Sequence, residues 1–255
     1  TLHRHTDDAL GAQIRRLNDA FRLYAETGAP TVILLVARNV YAEVLARAGR
    51  VEEALTLLRG VFAELAGGGP GFVVAHNRLA LANVLCEARA FADAEAHAQA
   101  LLARPGLSAG YQAMARDVLA QSRAALGDLT GAEEQARAAI ALSPHTPVRR
   151  WLMTAHLGRA LTGQGRAAEA RAAIGEALHE VDEGGTGGGF AELPILVAAA
   201  EAAEAEGLAA EAETFTDRAR RWAARQIAGL DGDDAIRAFL AALPERARPS
   251  PLTRP

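Results

Sequence analysis

Histidine is the side chain readiest to move a proton near neutral pH, and this sequence holds seven. His3 and His5 flank an arginine in a His-Arg-His run that could hold a metal weakly, but residues 1–8 read as a disordered leader. His97, His145, His156 and His179 are scattered, with no His-Glu-x-x-His and no Gly-x-Ser-x-Gly around them. Cys86 is the single cysteine, so it can form neither an internal disulfide nor a thiolate metal cage, and its place among apolar residues suits packing better than nucleophilic attack. No lysine occurs anywhere, which removes Schiff-base chemistry and the phosphate-binding lysine of a nucleotide loop. The glycine-rich run at 66–71 has no Lys or Ser/Thr in a phosphate-cradling position, and no strand precedes the one at 184–189, so both read as linkers. No catalytic residue, cofactor or metal site is therefore expected.

The elements that would have to carry any site are helices. Half of the chain is apolar but only 5% is aromatic, so its interior must be built of Ala, Leu and Val. Ala and Leu are strong helix formers and suit closely spaced helices. The formal net charge of −4 supplies no basic field, so direct nucleic-acid binding is not expected. Neither a membrane span nor an export signal is indicated, and the lone cysteine points to a reducing, cytoplasmic setting. The chain starts at Thr1 and reads as a piece of a longer protein.

Leu119 to Pro144 writes out one helical hairpin. Leu119, Ala120 and Arg123 lead to a break at Gly127-Asp128, after which Ala132, Ala136, Ala139 and Ile140 resume a period near 3.6 until Pro144. Gly127 stands where a helix C-terminus favours positive φ, and Ala120 and Ala132 are small where the helices must cross. Equivalent turns are expected at Gly49, Arg89, Gly127, Gly165 and Gly207, spaced 38 to 42 residues apart. Arg89 stands where the others have Gly, so that turn is strained or differently built. The hairpins span about 31–65, 73–105, 111–144, 149–181 and 194–227; residues 9–26 supply a leading helix, 228–247 a C-terminal capping helix, and 248–255 a tail. Trp151 and Trp222 are expected to fill gaps between helices.

This pattern resembles the tetratricopeptide repeat, with a period longer than the usual 34 residues. The ending Ile-Arg-Ala-Phe-Leu-Ala-Ala-Leu-Pro-Glu-Arg, from Ile236 to Arg246, resembles the C-terminal end of such regions in large bacterial regulators built around STAND-type ATPases, some linked to Ser/Thr kinases or to LuxR-type DNA-binding domains. The resemblance implies an all-α, right-handed solenoid of about five hairpins plus flanking helices, open like a curved ribbon. It implies a non-catalytic interaction or sensory scaffold, the regulatory region of a larger signalling or transcription regulator. Its partner would be a protein or peptide, or another domain of the same chain.

In that frame the first helix of each hairpin lines a concave wall. The outward polar positions are Asn39, Glu43, Arg47, His76, Asn83, Asp117, Gln121 and Arg159, with Glu87, Glu201 and Glu204 beside them. They are either merely solvated or contacts for a helix or extended segment of a partner. An alternative is a small-molecule effector enclosed near Tyr41, His76 and Trp151.

Overall fold

A computed structural model describes residues 9–28, 30–143, 147–183 and 189–249. Among them there are twelve α-helices and no strand: α1 Leu10–Thr27, α2 Thr31–Arg47, α3 Val51–Glu64, α4 Gly71–Glu87, α5 Phe91–Leu102, α6 Ala109–Leu126, α7 Leu129–Ala141, α8 Pro147–Gly163, α9 Ala167–Glu183, α10 Glu192–Ala205, α11 Ala209–Ile227 and α12 Asp233–Ala242. None of these helices is long and apolar enough to cross a membrane. The predicted leader at 1–8, His145, most of the loop at 184–189 and most of the tail lie outside the described residues.

The five predicted turns share one geometry. Gly49, Arg89, Gly127, Gly165 and Gly207 all have positive φ, between 60° and 93°. In each, the next residue's N–H closes a bond of 2.9 Å back to the carbonyl of Leu45, Leu85, Arg123, Leu161 or Ala203, which caps the helix end. Asp128 adds an N-cap to α7, its carboxylate accepting from the Gly131 N–H at 2.9 Å. Arg89, with φ of 60°, is the one non-glycine described residue in this region. A side chain there costs about 1 kcal/mol, and Arg89 is exposed, with no bond to lose. Arg89→Gly is accordingly expected to raise the melting temperature by about 2–4 °C, read by circular dichroism; an unchanged or lower value would contradict the strain.

Helices pack on their successors, and the first helices also pack on one another: α2 on α4, α4 on α6, α6 on α8 and α8 on α10. Small residues permit this. Ala42, Ala82, Ala120, Ala160 and Ala202 sit on successive first helices, and Ala54, Ala94, Ala132, Ala170 and Ala212 on the second ones, all buried. Gly158 lets α8 meet α9 and α10; a Cβ there would come within 2.4 Å of Ile174 Cδ1.

The two ends of the chain touch, in contrast to the open ribbon expected. Leu10 N–H donates to Gln226 Oε1 at 2.9 Å, and Arg15 reaches Asp231 at 2.8 Å. Leu10, Val44, Ala48, Ala223, Ile227, Leu230, Phe239 and Leu243 form one apolar cluster, flanked by Ile14, Leu17 and Trp222. Backbones approach closely at two places, where a Cβ on Gly11 would overlap Gly229 O and one on Gly49 would lie 2.1 Å from Ala238 O. Left alone, the apolar faces of α1 and of the last helices would meet water. Here each end covers the other. Trp222 lies beside Phe239 with ring centroids 6.4 Å apart, and Trp151 is buried with its Nε1–H donating to Glu180 at 2.9 Å, so both indoles fill space between helices.

Candidate functional site

The first helices carry a register of polar residues at fixed distance from the turns. Glu43, Asn83, Gln121, Arg159 and Glu201 each stand six residues before a turn residue. Neighbours in this register bond across the helix interface: Asn83 Nδ2 donates to Glu43 at 2.7 Å and Arg159 Nε to Glu201 at 3.0 Å. A polar side chain on a helix side meets its counterpart one repeat away, because the helices lie side by side in register. The predicted wall is in large part bonded to itself.

Two predicted contacts are removed from the surface altogether. Asn39 is 0% exposed and accepts from Asn77 Nδ2 at 2.8 Å, so no partner can reach it. Asp117 is buried and accepts from His156 Nδ1 at 2.7 Å. The sequence placed both on the outer side of a helix whose neighbour was taken to leave that side free; the neighbouring first helix covers it. Asn77 and His156 were missed for the same reason, since the pairings become visible only when positions 38 or 39 residues apart are set side by side.

Three of the remaining predicted residues, Glu43, Arg47 and His76, come near one another. Glu43 and Arg47 from α2, His76 and Glu87 from α4, Tyr111 from α6 and Arg149 from α8 lie near enough to feel one another's charge. Tyr111 was not among the sequence candidates, and its hydroxyl lies 3.4 Å from His76 Nδ1. Tyr41 and Trp151, expected beside His76, point elsewhere: Tyr41 meets Phe21 of α1 edge-on at 5.4 Å, and Trp151 turns to α9. Arg47 lies over the Phe190 ring at 5.4 Å, reaching from α2 to the short turn before α10.

Burial sets the electrostatics. It lowers the Arg47 pKa, against the opposing pull of Glu43 and Glu87, and Arg149 lowers it further. The His76 pKa also falls, first through burial and then through Arg149, with Glu43 opposing. Glu87 keeps solvent access, yet the protein atoms around its carboxyl raise its pKa by desolvation despite Arg47 and His156. Arg47 Nε and His76 Nε2 are buried without a hydrogen-bond partner. Two hollows, one lined by Phe21, Arg38 and Tyr41 and one by Arg59, Phe62 and His97, contain none of the predicted partner contacts; Tyr41, expected at an effector site, lines the first without His76 or Trp151.

No family model matches this chain, and no curated protein sequence matches it either. What the site can do rests on its geometry.

The Asp117–His156 pair has the form of a proton-moving dyad, but the neighbouring sulfur is not a nucleophile. Burial pushes the Cys86 thiol up to about 12, and its sulfur lies 3.5 Å from the buried Ser122 hydroxyl. A thiol so raised is protonated at neutral pH and inert. In the folded protein Cys86 is expected to resist a thiol reagent at pH 8 and to react promptly in denaturant; fast native labelling would show that the thiolate forms. No group of three or more His, Cys, Asp or Glu capable of holding a metal occurs among the described residues.

Proposed function

We propose that the chain is a tetratricopeptide-like α-solenoid acting as a non-catalytic binding scaffold, the regulatory region of a larger cytoplasmic signalling or transcription regulator, which takes up a partner segment along its first helices. The reading of the fold is supported by five turns of one geometry at a near-constant spacing, and by first helices stacked without interruption. The observation that carries the binding role is the convergence of Arg47, His76, Tyr111 and Arg149 from four successive first helices, with polar atoms of Arg47 and His76 left unpartnered. Buried polar atoms without partners are costly in a finished fold and are a mark of a site awaiting a ligand. Gln121, half-buried on α6, makes no hydrogen bond to another described residue and adds an amide to the same register.

A photo-crosslinking residue at Gln121, compared with one at the exposed Arg221 on α11, tests the assignment in lysate of the source cells. Adducts formed from position 121 and absent from 221 are expected; equal labelling at both would sink the placement of the binding face.

A further inference from the structure

The grooves between successive second helices can be compared position by position, because each is built at the same distances from the turns. Between α7 and α9 the groove is closed by charge. Arg137, ten residues after its turn residue, donates to Glu169, four residues after the next one, at 2.6 Å, and Glu133 bonds to Arg137 and Arg166 beside them. Between α9 and α11, Arg171 reaches Glu211 at 2.9 Å. Between α3 and α5 the positions of Arg137 and Glu169 carry Arg59 and Asp93. These two line a hollow of about 320 Å³ instead, and neither is paired with any described residue. Other arginines of the chain are unpaired as well, but Arg59 and Asp93 stand where an equivalent pair closes its groove.

Two rings account for the opening. Phe62 of α3 and His97 of α5 stand where the closed groove has Ile140 and Ala173, and they meet edge-on with centroids 6.5 Å apart. Arg78 of α4 lies 5.7 Å from the Phe62 centroid, yet the ring remains 40% exposed. Leu55, Leu81 and Leu85 add an apolar floor. His97 Nδ1 is buried with no hydrogen-bond partner, and burial followed by Arg78 lowers the imidazole pKa, so the ring is neutral near pH 7 and Nδ1 is free to accept. We propose that this hollow binds a free α-amino acid with an apolar side chain, its carboxylate on Arg59, its ammonium on Asp93 and His97 Nδ1, and its side chain on the three leucines beside Phe62. A ligand of a single charge would leave one wall unanswered, whereas a zwitterion supplies each wall with its counter-charge. Ligand pockets run from about 300 to 1,000 Å³, and a hollow at the lower end suits a molecule of this size. The hollow between α1 and α3 offers no such walls, since Glu53 is bonded to Arg50 and Arg38 to Glu64. The site lies between second helices and does not depend on the scaffold reading of the first-helix face.

The test uses the intact chain with L-leucine, L-phenylalanine or N-acetyl-L-leucinamide at matched ionic strength. At least one of the two free amino acids, near saturation, is expected to raise the melting temperature by about 2–4 °C. In NMR the same titration should move the His97 ring signals and leave those of His179, exposed on α9, in place. Arg59→Gln and Asp93→Asn should each remove most of the thermal shift; both residues are exposed with no bond to lose, so the unliganded variants should melt close to wild type. Arg137→Gln, the matching change in the closed groove, should keep the shift. N-acetyl-L-leucinamide carries neither charge and should give no shift. A shift equal to that of L-leucine would overturn the zwitterion site and assign the hollow to an apolar side chain of a partner segment. No shift with either amino acid, or one that survives both Arg59→Gln and Asp93→Asn, also overturns the proposal.

Discussion

Gly49→Ala is expected to destabilise the protein by about 3 kcal/mol or more, whereas Gly165→Ala should cost about 1 kcal/mol. Both glycines end a first helix with positive φ, 82° and 78°, so an added Cβ strains both turns alike. The difference lies in what surrounds them. A Cβ on Gly165 meets nothing within 4 Å, but one on Gly49 would lie 2.1 Å from the carbonyl oxygen of Ala238 in α12. Backbone cannot swing aside as a flexible side chain can, so α12 must lift and take its packing with it. Urea denaturation of the two variants reads the contrast, and equal losses would mean that α12 does not rest on the first turn.

Phe239→Ala should cost about 3–5 kcal/mol, the usual range for a large ring removed from a well-packed interior. Phe239 is 1% exposed, and it joins Trp222 of α11 to Val44 of α2 and to Ala48 just after that helix in one apolar cluster. Because Leu10 belongs to that cluster, the damage should travel to the other end of the chain. Amide exchange over Leu10–Leu17 is expected to accelerate in the variant together with that of α12. Exchange confined to α12, with α1 unchanged, would show that the two ends do not share a core.

The repeat was legible because its turns are written in glycine at a fixed spacing, and because alanine recurs where helices cross. Even the exception could be read: Arg89 stands in the position of a turn glycine, and it adopts the same left-handed conformation as the others. Helix limits followed from Pro30, Pro70 and the turn residues, each of which stops a period that is otherwise continuous. The contact between the ends was not legible. Leu10, Ile14 and Leu17 look like the apolar stripe of any helix, and nothing local says that Ile227, Leu230 and Phe239 will cover it. It depends on how helices far apart in sequence stack on one another, which no single stretch of sequence encodes.

The same limit shaped the site. Glu43, Arg47, His76, Asn83 and Arg159 were found because they are polar on otherwise apolar helices, yet polarity alone does not distinguish a free residue from one bonded to the next repeat. Asn39 and Asp117 fell on the wrong side of that distinction, Asn39 pairing with Asn77 and Asp117 with His156. Arg149 escaped notice because it stands in the first turn of α8, outside the register that the turns define. Its relation to Arg47 arises only from the packing of helices far apart in the chain.

The contact between residues near the two ends can be tested by a covalent bond. An ideal Cβ on Gly229 would lie 2.6 Å from the Ala9 Cβ, so a small outward shift brings the pair into the 3.5–4.5 Å range of a disulfide. In Ala9→Cys/Gly229→Cys, with Cys86 protected by burial, mild oxidation is expected to give a rapid intrachain crosslink, visible as faster migration on a non-reducing gel and as a higher melting temperature. Slow, intermolecular disulfides alone would contradict the account and leave the chain open at its ends.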